Sequence, residues 1–290
     1  MQQSDSKQSP SPLDPGILEK YHRLIAELTA AQSVAVAFSG GVDSTLLLYA
    51  AHQALGDGAV AITAISDTFP LRERNEAAAF CNERGIRQIT FPSDEMEIDD
   101  FRKNPENRCY FCKKNLLSKA QAIVIENGID ILVEGSNLDD DDDFRPGAQA
   151  IHELGIGSPL RDCKLTKSDI RSLSAAFGLP TADKPSSACL ASRIPYGTLI
   201  DTSLLARIDA AEQFLIDAGF RQVRVRVHPL GGNHVLARIE IPPNDFERFF
   251  SDGFPAQVGR KLREAGFTYA TFDLGGYQTG TMNRLLGNRQ

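Results

Sequence analysis

Along the first two-thirds of the chain, apolar residues fall either at helical spacing or in short unbroken runs, and the two patterns alternate. Ile17, Leu18, Tyr21, Leu24, Ile25 and Leu28 recur at the three-and-four interval of an amphipathic helix, and Val34 to Phe38 follows as a continuous apolar run. The same reading predicts helices from Ser44 to Leu55, Arg72 to Arg84 and Leu116 to Glu126, with strands from Ala59 to Ile65, Ile86 to Phe91 and Ile129 to Glu134. Strands apolar on both faces must be covered on both faces. The alternation therefore predicts an α/β domain, a parallel sheet with helices on either side. In such sheets the ligand lies beyond the carboxyl ends of the strands.

The pattern changes after about Leu179. A helix is predicted from Thr202 to Ala218, and Gln222 to His228 then alternates strictly, with Val223, Val225 and Val227 inward and Arg224, Arg226 and His228 outward. A period of two predicts a strand with one face in solvent. Gly231, Gly232 and Asn233 form a turn, and His234 to Ile241 returns as an antiparallel partner. Helices from Asp245 to Phe250 and Ala256 to Glu264 precede a last strand from Tyr269 to Leu274. This gives an arm over residues 1–15, an α/β domain over 16–198 and a smaller α+β domain over 199–290. The arm is rich in Gln, Ser and Pro and has too little apolar surface to offset its ordering entropy.

Composition narrows the function classes. A net charge of −7 argues against a general nucleic-acid surface. No apolar run approaches the ~20 residues of a membrane span, and the first residues lack the apolar core of a secretion signal. The expectation is a cytoplasmic protein without membrane contact. Five cysteines, an odd number, argue against a disulfide framework and leave metal binding, catalysis or burial.

The first apolar strand runs directly into Ser39, Gly40, Gly41, Val42, Asp43, Ser44 and Thr45, and a helix begins at once. Adjacent glycines let backbone N–H groups approach an anion, and the helix N-terminus adds its dipole. Ser39, Ser44 and Thr45 supply hydroxyl donors, while Asp43 either assists Mg²⁺ or caps the helix. The segment lacks the GK[ST] ending of a Walker loop. It resembles the SGGxDS loop of PP-loop ATP pyrophosphatases, which hold pyrophosphate while the α-phosphorus is attacked. That resemblance implies an adenine-side contact at Ser66, where the second strand ends, and a nucleotide-facing segment from Glu134 through Gly135 to Asn137.

Cys109 and Cys112 form a C-x-x-C pair among Arg108, Lys113 and Lys114. A zinc half-site, a redox dithiol and a partial iron–sulfur site all fit that spacing. The chain has no second C-x-x-C, so it cannot close a four-cysteine zinc knuckle, and the pair lies ahead of the predicted helix rather than at its start. Cys189 lies far downstream in KPSSACLASRIPYG, a polar segment punctuated by Gly and Pro that reads as a loop. Cys81 falls inside a helix and reads as core; Cys163 follows Arg161 and Asp162 in a polar loop, with no chemistry assigned to it.

Together SGGVDST, ENRCYFCK, EGSNLDD with DFRPG, KPSSACLASRIPYG and DLGGYQTGTMN resemble the LarE family over about residues 16–285. Members of that family are ATP-dependent sulfur transferases that help build the nickel-pincer nucleotide cofactor of lactate racemase. The resemblance implies that ATP adenylates the carboxylates of pyridinium-3,5-biscarboxylic acid mononucleotide, and that sulfur then displaces AMP to leave thiocarboxylates. The sulfur comes either from a lone cysteine at the position of Cys189, which becomes dehydroalanine, or from a [4Fe-4S] cluster held by three cysteines. Cys109, Cys112 and Cys189 match the three-cysteine version.

The resemblance also implies ATP and Mg²⁺ as cofactors, with Asp139 of the Asp139–Asp143 run as a possible Mg²⁺ ligand beside Asp140. Asp141 and Asp142 read as a solvated loop. Arg145 and Arg193 are implied as ATP-phosphate contacts, and Lys184 as the group that neutralises charge developing on pyrophosphate. Arg224 and Arg226, ~7 Å apart on one strand face, suit a substrate phosphate, with Glu212 nearby. His228 and His234 read as solvent-side. The implied partners are the enzymes before and after this step in nickel-pincer synthesis, and further copies of the chain in a homo-oligomer such as a hexamer. A PP-loop tRNA thiolase would share the three cysteines but needs an electropositive RNA surface; an amide-forming synthetase shares the loop but needs no cysteine set.

Overall fold

The computed structural model describes residues 13–142, 146–186 and 188–278. In chain order its elements are α1 (Pro15–Leu28), β1 (Val34–Ala37), α2 (Val42–Leu55), β2 (Ala59–Ile65), α3 (Leu71–Arg84), β3 (Arg87–Pro92), α4 (Asp99–Arg102), α5 (Arg108–Glu126) and β4 (Ile131–Val133). There follow α6 (Pro146–Leu154), α7 (Pro159–Asp162), α8 (Lys167–Ala176), α9 (Thr202–Asp217), β5 (Arg224–Gly231), β6 (His234–Glu240), α10 (Phe246–Phe249), α11 (Phe254–Glu264) and β7 (Tyr269–Phe272). Of the arm, residues 1–12 lie outside the described residues, as do Arg145 and the side chains of Asp141 and Asp142.

The chain divides into two compact units. The first comprises Met1–Ala64, Glu76–Phe91 and Leu116–Ser186; the second comprises Ile65–Asn75, Pro92–Asn115 and Ser187–Gln290. Two segments from the first half of the chain thus belong to the second unit.

The first unit is built on a four-stranded sheet in the order β3-β2-β1-β4, with β1 parallel to both β2 and β4. Val34, Ala35 and Val36 are wholly buried, as a strand covered on both faces requires. Helix α2 follows β1 at once and sends Leu46, Leu47, Leu48, Ala50 and Ala51 into one core with Leu24, Leu28, Phe80 and Leu173. A second core, on Ala35, Val60, Ile62, Leu117, Val124 and Leu132, includes the residues of β1 and β2 missing from the first. Because β1 and β4 are parallel neighbours with Val36 opposite Val133, the chain leaves both strands at the same edge of the sheet. That juxtaposition positions the candidate nucleotide loop. Cys81, in α3, is wholly buried, and Cys163 is buried at the end of α7, where its thiol donates to Glu27 Oε2 at 3.3 Å. The polar loop expected around Cys163 is instead packed against the core.

The second unit carries a three-stranded sheet, β5-β6-β7, with β5 and β6 antiparallel and β6 and β7 parallel. The turn from β5 to β6 uses Gly231 and Gly232 at positive φ (95° and 56°), as the sequence led us to expect. The half-exposed strand does not survive. Val223, Val225 and Val227 are buried, but Arg224 and Arg226 are only 7% and 6% exposed. Both faces of β5 are covered at these residues, and acidic partners rather than water compensate the guanidinium groups.

Leu47→Ala tests the first core. Leu47 is fully buried, so the truncation should cost roughly 2–5 kcal/mol. The expected result is a lower midpoint of urea unfolding; an unchanged midpoint would contradict the packing.

Candidate phosphate loop and candidate cysteine site

In the first unit, α2 has Gly41 as its N-cap with no side chain satisfying the helix end, so its first N–H groups remain available. Gly40 holds φ +71°, a conformation that an L side chain rarely adopts. Ser39 Oγ and Ser44 Oγ stand 3.2 Å apart, and Ser44 Oγ also donates to Gly41 O at 3.2 Å, which folds the loop over the helix end. Thr45 lies deeper. It is fully buried and its Oγ1 has no hydrogen-bond partner. Gly135 packs tightly against this turn: a Cβ there would meet Ser44 N at 3.1 Å and Ser44 Cα at 3.3 Å.

Asp43 does not cap the helix. Its Oδ1 accepts from Asn137 Nδ2 at 3.2 Å, and its Oδ2 is ion-paired with Lys167. Asp139 Oδ2 accepts the Lys167 N–H at 2.8 Å, and its own N–H donates to Asn137 Oδ1 at 3.0 Å. Lys184, remote in sequence, reaches the loop: its Nζ donates to Gly40 O at 3.0 Å and to Glu76 Oε2 at 2.7 Å. The structure therefore brings Ser39, Gly40, Gly41, Asp43, Ser44, Gly135, Asp139 and Lys184 to one edge of one unit. Lys167 was missed by the sequence reading. Its capping box, Thr166 with Asp169, marks a helix start but carries no signal of a contact with Asp43.

In the second unit, α5 begins at Arg108, eight residues earlier than the sequence reading placed it, so Cys109 and Cys112 sit one turn apart at its head. The pair does lie at a helix start, preceded by α4 rather than a strand. Cys109, Cys112 and Cys189 interact electrostatically. Burial pushes the Cys112 thiol well up, and Cys189, Glu95 and Cys109 push it further against the opposing pull of Arg108. The Cys109 thiol is raised by burial and by Cys189, while Arg108 and Lys113 oppose. Cys112 and Cys189 pack against one apolar cluster that includes Phe101, Leu190 and Ile194. Among the described residues, no three Cys, His, Asp or Glu side chains are grouped as ligands of a single metal ion.

Asn104 and Arg193 hold these segments in place. Asn104 is fully buried, and its Nδ2 donates to Ile194 O at 3.2 Å and Pro195 O at 2.8 Å. Arg108 Nη1 donates to Asn104 Oδ1 at 2.9 Å while its guanidinium covers the Tyr196 ring at 4.7 Å. Arg193 is not placed to reach a phosphate in solvent. It is fully buried, with Nη1 donating to Ala188 O at 2.5 Å and Cys189 O at 3.0 Å, and with Nε and Nη2 both 2.9 Å from the Glu212 carboxylate. Burial alone would lower the guanidinium pKa, but Glu212 raises it overall; burial alone would raise that of Glu212, but Arg193 lowers it overall.

Glu212 Oε1 also accepts from Val225 N at 2.9 Å, so this carboxylate is committed inside the fold. Arg226 binds Glu240 Oε2 at 3.1 Å and Ser192 O at 2.9 Å. Arg224 lies 5.5 Å from the Tyr277 ring centroid, its pKa lowered by burial and by neighbouring Arg193. His234 is exposed as expected, whereas His228 is half-buried and accepts from Arg238 Nε at 3.0 Å. Ser66 is buried, its Oγ bonded to Glu95 Oε1 and 2.7 Å from Thr68 Oγ1. Glu95, also missed, is buried, and its second oxygen has no hydrogen-bond partner.

Residues 13–141 match the model of a PP-loop domain. An uncharacterised protein of Synechocystis sp. is 40% identical over 93% of this chain and 97% of its own length. The pyridinium-3,5-bisthiocarboxylic acid mononucleotide synthase of Lactiplantibacillus plantarum is 37% identical over 92% of this chain and 95% of its own. An uncharacterised protein of Methanocaldococcus jannaschii is 28% identical over 86% of this chain and 92% of its own.

Arg193→Met leaves the Glu212 carboxylate buried without its partner, which should cost roughly 3–5 kcal/mol and lower the melting temperature. The folded-state pKa of Glu212 lies below the ordinary 4.5, so the pair's stabilisation is present above pH 4.5 and is lost as pH falls through the folded value. The gap in melting temperature between wild type and variant should therefore narrow on acidification below pH 4.5. A gap that widens there would refute the pairing.

Proposed function

Because this chain belongs to the LarE family of ATP-dependent PP-loop sulfurtransferases, we propose that it converts the carboxylates of pyridinium-3,5-biscarboxylic acid mononucleotide to thiocarboxylates for a nickel-pincer cofactor. The observation that carries the reading is the thiol set: Cys109 and Cys112 on one helical turn, with Cys112 and Cys189 packed against the same apolar cluster.

A substrate carboxylate attacks the α-phosphorus of ATP, the bond to the β-phosphate oxygen breaks, and pyrophosphate leaves with its electron pair. The open end of α2, with Ser39 and Ser44, receives that pyrophosphate, and Lys184 offsets its growing charge. Gly135 closes on the same turn, and Asp139 would hold the Mg²⁺ that accompanies ATP. Ser66 serves the adenine side, and Arg145 a phosphate. Hydrosulfide sulfur then attacks the acyl carbon, AMP leaves, and a proton is released. One round on each carboxylate gives the dithiolated product, which a nickel-inserting reaction consumes.

The Cys109 and Cys112 thiols are pushed toward the neutral form by desolvation and by their neighbours, and a cationic guest would relieve that penalty. Cys109, Cys112 and Cys189 would hold a [4Fe-4S] cluster, which when bound supplies sulfide from the iron lacking a protein thiolate. The chain's own part is to keep the three thiols together. Arg193 secures the Cys189 backbone, and Asn104 ties the loop beyond it to the approach to α5. We assign the substrate phosphate to Arg224 and Arg226, whose guanidinium groups lie nearly buried with Glu212 and Glu240 as their acidic neighbours.

Anaerobic reconstitution of the full chain with iron and sulfide should give a broad visible absorption band that Cys112→Ala abolishes. If instead the iron-free protein thiolates one carboxylate per chain while Cys189 loses the mass of H₂S once, Cys189 itself is the donor and the cluster is excluded. Steady-state kinetics tests the arginines. Arg224→Ala should raise KM for the pyridinium nucleotide at least about tenfold and leave ATP affinity within about twofold. Equal losses for both ligands would remove Arg224 from the substrate site.

A further inference from the structure

Lys167 takes no part in the chemistry above, yet it contacts the helix turn on which that chemistry depends. It is the first residue of α8, set there by the Thr166–Asp169 capping box. Its ammonium pairs with Asp43 Oδ2, and its backbone N–H is held by Asp139 Oδ2 at 2.8 Å. Asn137, 2% exposed, donates to the other Asp43 oxygen. The Asp43 carboxylate is thus clamped from two directions.

Asp43 lies in the first turn of α2, at the helix end whose positive potential attracts anions. A carboxylate there stabilises the helix but also repels an incoming phosphate. A loop meant for a polyanion carries this acid at a cost unless a cation cancels it. Lys184 does not fill that role, since it is bound to Gly40 O and Glu76.

We propose that Lys167 is a positioning residue that neutralises Asp43 and holds it beside Asn137, leaving the α2 N-terminus electrostatically open to the pyrophosphate portion of ATP. This rests on the loop being the pyrophosphate site. Lys167 acts through Asp43 and does not touch the anion.

The test is calorimetric titration of the full-length protein with inorganic pyrophosphate, free of Mg²⁺, at low salt. Lys167→Gln should weaken binding about tenfold, and Lys167→Arg should restore it to within about threefold of wild type. The double variant Asp43→Asn, Lys167→Gln should return to within about twofold of wild type, because the charge that Lys167 cancels is then absent. Asp43→Asn alone should bind at least as tightly as wild type. A double variant no tighter than Lys167→Gln would mean that Lys167 meets the anion itself or only supports the fold, and the proposal fails. It fails equally if Lys167→Gln binds like wild type or if Asp43→Asn alone weakens binding. Wild-type protein that does not bind pyrophosphate would sink the loop reading and this inference together, whereas wild-type binding with an indifferent Lys167→Gln would sink this inference alone.

Discussion

The buried pair between Arg193 and Glu212 is the constraint on which the second unit depends. Both side chains are fully excluded from solvent, so each ion is tolerable only because the other is in place. The pair also has a wide reach. The guanidinium gathers the carbonyls of Ala188 and Cys189, and the carboxylate takes the backbone N–H of Val225 at the start of β5. One ion pair therefore connects the cysteine loop, α9 and the sheet. Arg226 adds a second connection from β5 to the same loop through Ser192 O. Hydrophobic packing alone sets no such register for a polar loop rich in Ser, Pro and Gly.

The first unit solves a different problem by similar means. Here a helix end must stay unsatisfied so that it can receive a ligand, and the neighbouring groups are fixed around it. Gly41 caps without a side chain, Gly40 adopts a conformation open to few residues, and Gly135 brings the next strand's exit against the turn. Asp43, Asn137, Asp139 and Lys167 link to one another, so the polar side chains nearest the opening are held.

Much of this was legible in the sequence where burial follows from apolar pattern alone. Val34 to Phe38 reads as a strand because its short unbroken apolar run leads into a glycine loop, and Ala59 to Ile65 because seven residues, apolar but for Thr63, end in the polar Ser66 and Asp67. Arg224 and Arg226 show the converse. Alternating arginine and valine look the same whether the arginines meet water or buried carboxylates, and the partner carboxylates come from Glu212 and Glu240, on other elements. The head of α5 was illegible because Arg108 to Lys114 lacks an apolar stripe, and the residues that fix it, Asn104 and Tyr196, are supplied from outside the helix. Lys167 and Glu95 were invisible for the same reason. Their significance lies in partners distant along the chain, and a single sequence carries no trace of that pairing.

The order in which the polypeptide emerges from the ribosome gives the thiol set a history. Cys109 and Cys112 are synthesised about eighty residues before Cys189, a lag of roughly 4 to 15 seconds at ordinary elongation rates. Even then the third thiol is not secured, because Glu212, the counter-ion of the arginine that holds its loop, is made later still. During that interval the nascent chain presents a bare dithiol to whatever oxidants and metals surround it. A guest held by all three thiols, as we propose, would therefore be bound late, after synthesis has passed α9.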